Sequence, residues 1–110
     1  MVGERATPTI KYPSPRKERI MTEVLKVSAT SNPNLVAGAI AGAIRQQGTA
    51  EIQAIGASAV NQAVKAAAVA CNFLEPADIK LAFQPSFMEI ENNGEIRTAI
   101  RLIAVIISRD

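Results

Sequence analysis

The stretch Glu23–Ala70, EVLKVSATSNPNLVAGAIAGAIRQQGTAEIQAIGASAVNQAVKAAAVA, decides the fold. It reads as strand, polar turn, small-residue helix, glycine stop, strand, glycine turn and a second small-residue helix. Glu23–Ser28 alternates around Val24, Leu25 and Val27, a strand pattern, and stops at the polar run Ser28-Ala29-Thr30-Ser31-Asn32. Pro33 suits a first helical turn, where its missing N–H has no intrahelical partner to lose, and Ser31 or Asn32 can cap that helix. Gly48 supplies a left-handed stop after Gln47. Ala50–Ile55 alternates as a second strand, and Gly56 permits a tight turn into a helix from Ala57 or Ser58 to Asn72.

Both helices are built from small residues, as the 48% apolar but only 4% aromatic composition requires, so the elements must approach closely. On the first, Val36, Ile40, Ala43, Ile44 and Gln47 make the expected core stripe. Gly38 and Gly42 lie one turn apart on another face with Ala41. Each mid-helix glycine costs about 1 kcal/mol against alanine, which implies a neighbour pressed onto that face. On the second, Val60, Val64, Ala67 and Cys71 form one stripe, and Ala59, Ala63, Ala66 and Ala70 a smooth alanine surface.

Glu75-Pro76-Ala77-Asp78 ends the helices. Ile79, Leu81 and Phe83 then alternate with polar or small residues, but Met88 and Ile90 continue in the opposite phase, which predicts a bulge near Pro85. Asn92-Asn93-Gly94 is a strong hairpin turn signal, and Glu95–Ile107 is the return strand. From Leu102 to Ile107 that strand is apolar on both faces, so something beyond its own helices must cover it. The chain is thus expected to be an α/β two-layer sandwich of order β-α-β-α-β-β, with a mixed sheet and a long C-terminal β-hairpin. The second cover is expected from another copy: a homodimer built from the alanine face of the second helix and the end of the last strand.

The net charge of +2 is unevenly placed. Met1–Arg19 holds Arg5, Lys11, Arg16, Lys17 and Arg19 against Glu4 and Glu18, whereas the remainder has one more acid than base. Residues 1–20, with three prolines and no amphipathic period, read as a flexible basic arm ahead of a folded domain over residues 21–110. That arm is either a solvated leader or a phosphate-tracking tail. There is no histidine, no GxxxxGK[ST] or GxGxxG motif, and a single cysteine, Cys71, which reads as a small buried hydrophobe. Ser58 after Gly56-Ala57 lacks both GxSxG spacing and a histidine to activate it, and reads as a helix cap. Neither an enzyme nor a metal or other cofactor is expected. Without an apolar run of membrane length or a secretory leader, a cytoplasmic location follows.

Two strand-to-helix turns, TSNPN and GAS, bring small polar residues to helix N-termini, where backbone N–H groups favour anions. Neither turn carries the lysine, acid or histidine that chemistry would need, so a binding surface is indicated. Its members are Ser31, Asn32, Asn34, Gly56, Ser58, Asn61, Gln62 and Lys65, with Arg97 near the hairpin tip adding charge. Asn61, Gln62 and Lys65 read equally well as the solvated side of their helix.

SNPNLVAGAI, AIGASAVNQAVKA and GEIRTAIRLIAV closely resemble the stage V sporulation protein S family of bacteria, a resemblance that spans Glu23 to Val105. That family looks like a relative of the Alba group of small, dimeric, nucleic-acid-binding chromatin proteins, which implies an Alba-like mixed sheet and a homodimer. Where Alba proteins carry lysines before a proline, Ser31 and Asn32 stand here; where they carry arginines around a glycine, Ile55 and Ala57 flank Gly56. The resemblance implies a bacterial regulator linked to sporulation or developmental control, or to a broader regulatory role, and the expected activity is weak binding of DNA or RNA through the residues above. A protein-interaction or assembly scaffold using the same surfaces is the alternative.

Overall fold

A computed structural model of the chain describes residues 24–109; the basic arm lies outside the described residues. Four strands and two helices follow one another as β1 (Val24–Val27), α1 (Pro33–Gln47), β2 (Thr49–Ala54), α2 (Ala57–Leu74), β3 (Ile79–Asn92) and β4 (Glu95–Arg109). A single 3-10 turn, Glu75–Ala77, separates α2 from β3. The sheet order is β1-β2-β4-β3, with β1 and β2 parallel and the other pairs antiparallel. This is the expected α/β architecture, and both helices pack on one face of a mixed sheet.

Local chemistry sets the boundaries. Asn32 is the cap of α1, its side chain accepting from the backbone N–H of Asn34 and Leu35, and Pro33 opens the helix. Gly48 closes it at φ 82°. Asn93 and Gly94, both at positive φ, make the two-residue turn between Asn92 and Glu95.

The core is made of alanine. Ala37, Ile40, Ala41 and Ile44 of α1 face Ala59, Ala63, Ala66 and Ala70 of α2, and below them lie Ala50, Ile52 and Ala54 of β2 and Leu102 and Ala104 of β4. Ile40, Ile44, Ile52 and Leu74 are the largest wholly buried side chains. On α1 the buried stripe is rotated from the expected one: Ala37 and Ala41 join Ile40 and Ile44, Val36 and Ala43 flank it, and Gln47 is exposed. On α2 the alanines pack inside the chain; of the other stripe Ala67 is buried too, Val60 packs partly against the core, and Val64 is exposed. Helix-on-helix contact at short axial distance admits methyl groups and excludes branched side chains, so the smoother face wins the interior.

Three expectations are corrected by this arrangement. The alanine face cannot serve a dimer, because it is already covered. Gly38 and Gly42 meet no close neighbour among the described residues, since a Cβ built on either finds nothing within 4 Å. The bulge sits between Lys80 and Leu81, where β4 carries the extra Ile107, and Pro85 pairs in register with Leu102. Pro85 is tolerated because β3 is the outermost strand, where a missing donor need not break a ladder. With no slip at Pro85, Phe87, Glu89 and Glu91 share the helix-side face with Leu81 and Phe83, and Met88 and Ile90 point to the other.

Replacing Ala66 by leucine should overpack the helix contact and cost about 1–3 kcal/mol, whereas Val64→Leu should stay within about 0.5 kcal/mol. Denaturant unfolding reads both. The reverse order would mean that the valine stripe, not the alanine face, fills the core.

Candidate functional site

The expected surface residues divide into two groups. Ser31, Asn32, Asn34 and Gln62 meet where the β1–α1 turn touches α2. Asn32 Oδ1 lies 2.8 Å from the Asn34 N–H and 3.4 Å from that of Leu35. The Ser28 N–H donates to Ser31 Oγ at 2.9 Å, and Gln62 Nε2 donates to the Ser31 carbonyl at 2.8 Å. The turn is therefore held by its own polar groups. Asn32 occupies the helix N-terminus that an anion would otherwise approach, and Gln62 ties the turn to α2.

The second group gathers around the start of α2. Gly56 is its cap residue, at φ 94° and ψ 156°, and no side chain caps the helix. That backbone region is open to glycine almost alone, which explains Gly56 on conformation rather than on ligand contact. Ser58 lies exposed inside the first turn and is not the cap, contrary to the expectation from sequence. Asn61 and Lys65 are exposed one turn apart along α2.

Beside Gly56 and Asn61 opens a groove of about 610 Å³, walled by Val60 and Val64 of α2 and by Phe87, Thr98 and Ile100 of the hairpin. Phe87 is 77% exposed, Ile96 66% and Val64 55%. Arg97 is placed differently. It shares the strand phase of Arg101 and Ile103, the face turned away from the helices, so it does not join Lys65 on one surface. Arg101 is half-buried there, with Nη1 3.9 Å from Glu51 Oε2 and Nε 3.4 Å from Ser86 Oγ.

Among the described residues, no group of three His, Cys, Asp or Glu side chains is placed to hold a metal ion, and no helix is long and apolar enough to cross a membrane. A family model for stage V sporulation protein S (SpoVS) matches residues 23–107, which takes in both helices, β1 to β3 and β4 as far as Ile107. The chain belongs to the stage V sporulation protein S family. Membership implies a sporulation-related role, in a family of proteins not known to be enzymatic. Within this SpoVS chain the match stops short of the basic residues before Glu23.

Sequence reasoning did not find the groove. Its signal was present in Phe87, a large aromatic side chain in phase with Leu81 and Phe83 once the strand is read without a slip at Pro85. The misplaced bulge concealed it.

Asn32→Ala should lower stability by about 1 kcal/mol by removing the α1 cap, while Ser58→Ala should change it by no more than about 0.5 kcal/mol. Thermal unfolding of the two variants distinguishes them. Equal losses would contradict the capping assigned here.

Proposed function

We propose that this SpoVS-family chain is a non-enzymatic, sporulation-related regulator that works as a homodimer and binds nucleic acid weakly. The observation that carries the dimer is the unsupported hairpin. β2 pairs with β4 only from Thr49↔Val105 to Ala54↔Ile100. Beyond that point β3 and β4 continue as a ribbon of two strands, from Met88 to Ala99. Such a ribbon is marginal in water unless its apolar face packs on something. Here Phe87 and Ile96 face solvent, and Phe87 lines the groove with the exposed Val64 of α2. A second copy related by a two-fold axis brings the same ridge and the same groove, so each hairpin covers the other's exposed side chains. The dimer surface is thus the valine side of α2 with the hairpin, in place of the alanine face and the end of β4.

Charge supports the nucleic-acid part and limits its strength. Residues 24–109 hold seven cations (Lys26, Arg45, Lys65, Lys80, Arg97, Arg101, Arg109) against six anions (Glu51, Glu75, Asp78, Glu89, Glu91, Glu95). The strong excess lies in Met1–Arg19. Few phosphates can be neutralised by the folded part, so affinity should be about micromolar or weaker at physiological salt and indifferent to sequence.

A protein-interaction scaffold is the second reading, favoured by the outer face of α1. Leu35 is 74% exposed there, and Gly38 and Gly42 have open space above them.

Sedimentation at micromolar concentration should give twice the chain mass. Phe87→Asp or Val64→Asp should give a folded monomer, since both side chains are exposed in the single chain. A monomeric parent protein would contradict the dimer. In a separate titration against DNA duplex, deleting Met1–Arg19 should flatten the dependence of log K on log salt by roughly 0.9 for each phosphate the arm had neutralised. An unchanged slope would remove the arm from the binding surface, and no binding at low salt would leave the scaffold reading.

A further inference from the structure

We infer that the phosphodiester backbone of DNA or RNA lies on the open face of the sheet, across a polar row formed by Lys26, Gln53, Arg101 and Ser86. The inference rests on the nucleic-acid reading above and replaces the strand-to-helix turns as the place of contact. Register alone puts these four residues in line. Lys26 pairs with Gln53, Gln53 with Arg101, and Arg101 with Ser86, so one row crosses all four strands. Their strand neighbours Ile52, Ala54 and Leu102 are buried under the helices, so the row points to the side that no element of the described chain covers. At roughly 4.8 Å per strand, Lys26 and Arg101 stand about 10 Å apart, far enough for two separate phosphate contacts.

The charges of the sheet are sorted by face. Lys26, Arg97 and Arg101 share the open face with Glu51 and Glu95, whereas the helix side of the hairpin between Leu81 and Ile106 carries Glu89 and Glu91 and no cation. A polyanion is thus repelled from the groove side and drawn to the open side. Arg101 is also held in place before any ligand arrives. Its Nε donates to Ser86 Oγ at 3.4 Å, and Glu51 Oε2, 3.9 Å from Nη1, accepts at 3.0 Å from Gln53 Nε2. The other guanidinium donors remain available on a half-exposed side chain. The turns offer less, because Asn32 caps α1 and Gln62 holds the Ser31 carbonyl. Continuity of the chain adds to the case. β1, which carries Lys26, is an edge strand of the sheet, and the basic residues of Met1–Arg19 directly precede it in sequence.

The test measures binding of the full chain to a short single-stranded RNA and, in a parallel arm, to a short DNA duplex, across a range of salt. The variants are Lys26→Gln, Arg101→Gln, the two combined, and Lys65→Gln on the helix layer. The combined variant should bind about 10-fold more weakly at low salt, and each phosphate left without its cation should lower the slope by roughly 0.9 on duplex or 0.7 on the single strand. Lys65→Gln should bind like the parent. Sedimentation of each variant should still give the dimer mass, because the row is remote from the groove. Lys26 is exposed on an edge strand, so Lys26→Gln alone decides the matter should Arg101→Gln fail to fold. Weakened binding in Lys65→Gln, with the row variants unaffected, overturns this placement and leaves nucleic-acid binding standing. No binding by the parent at low salt overturns both. Loss of binding in the combined variant, seen in one arm only, supports the placement and identifies the polymer.

Discussion

The contact of alanine with alanine between α1 and α2 governs the rest of the molecule. Ala37 and Ala41 on one helix and Ala59, Ala63, Ala66 and Ala70 on the other are all wholly buried. Methyl-on-methyl packing lets two helices lie close together over a sheet that is itself faced with Ala50, Ala54 and Ala104. Once that face of α2 is committed inward, Val64 is left on the outside. The exposed groove follows from the interior packing and is no separate feature.

A core of this composition buries little apolar area per residue, and burial contributes roughly 25 cal/mol for each Å² removed from water. A domain of this size therefore has little stability to spare. Val64, Phe87 and Ile96 are exposed apolar side chains on α2 and the hairpin, and in the proposed dimer their cover would stabilise the hairpin together with the assembly. In the proposed arrangement the open sheet face would stay available to a ligand of other chemistry, with Lys26 and Arg101 in one row. Sporulation-related regulation in this family would then rest on two surfaces set on opposite sides of one sheet.

Much of this was legible from residues with a single local meaning. Asn32-Pro33 and Gly48 bounded α1, Gly56 opened α2, and Asn93-Gly94 made the turn, because each depends on backbone conformation or capping within a few residues. The faces of α2 were not legible. Val60-Val64 and Ala59-Ala63 have the same helical period, and only the distance between two helices decides which one fits inside. Pro85 misled for a related reason: its meaning depends on whether its strand is central or outermost, which is settled by the order of strands and not by neighbours in sequence. The candidate site suffered likewise. Gln62 looks free in sequence, yet its partner is a backbone carbonyl of the chain itself, and Lys65 and Arg97 look additive until strand phase separates them.

The central claim is the proposed dimer through the hairpin and the Val64 side of α2, and amide hydrogen exchange at two protein concentrations tests it most directly. Dilution through the dimer dissociation range should speed exchange in the hairpin from Met88 to Ala99 and in the first turns of α2. Exchange in the alanine-packed centre of α1 and α2 should keep its rate. Concentration-independent exchange throughout, or protection confined to the Gly38–Gly42 face of α1, would contradict a dimer formed by the hairpin and the valine side of α2.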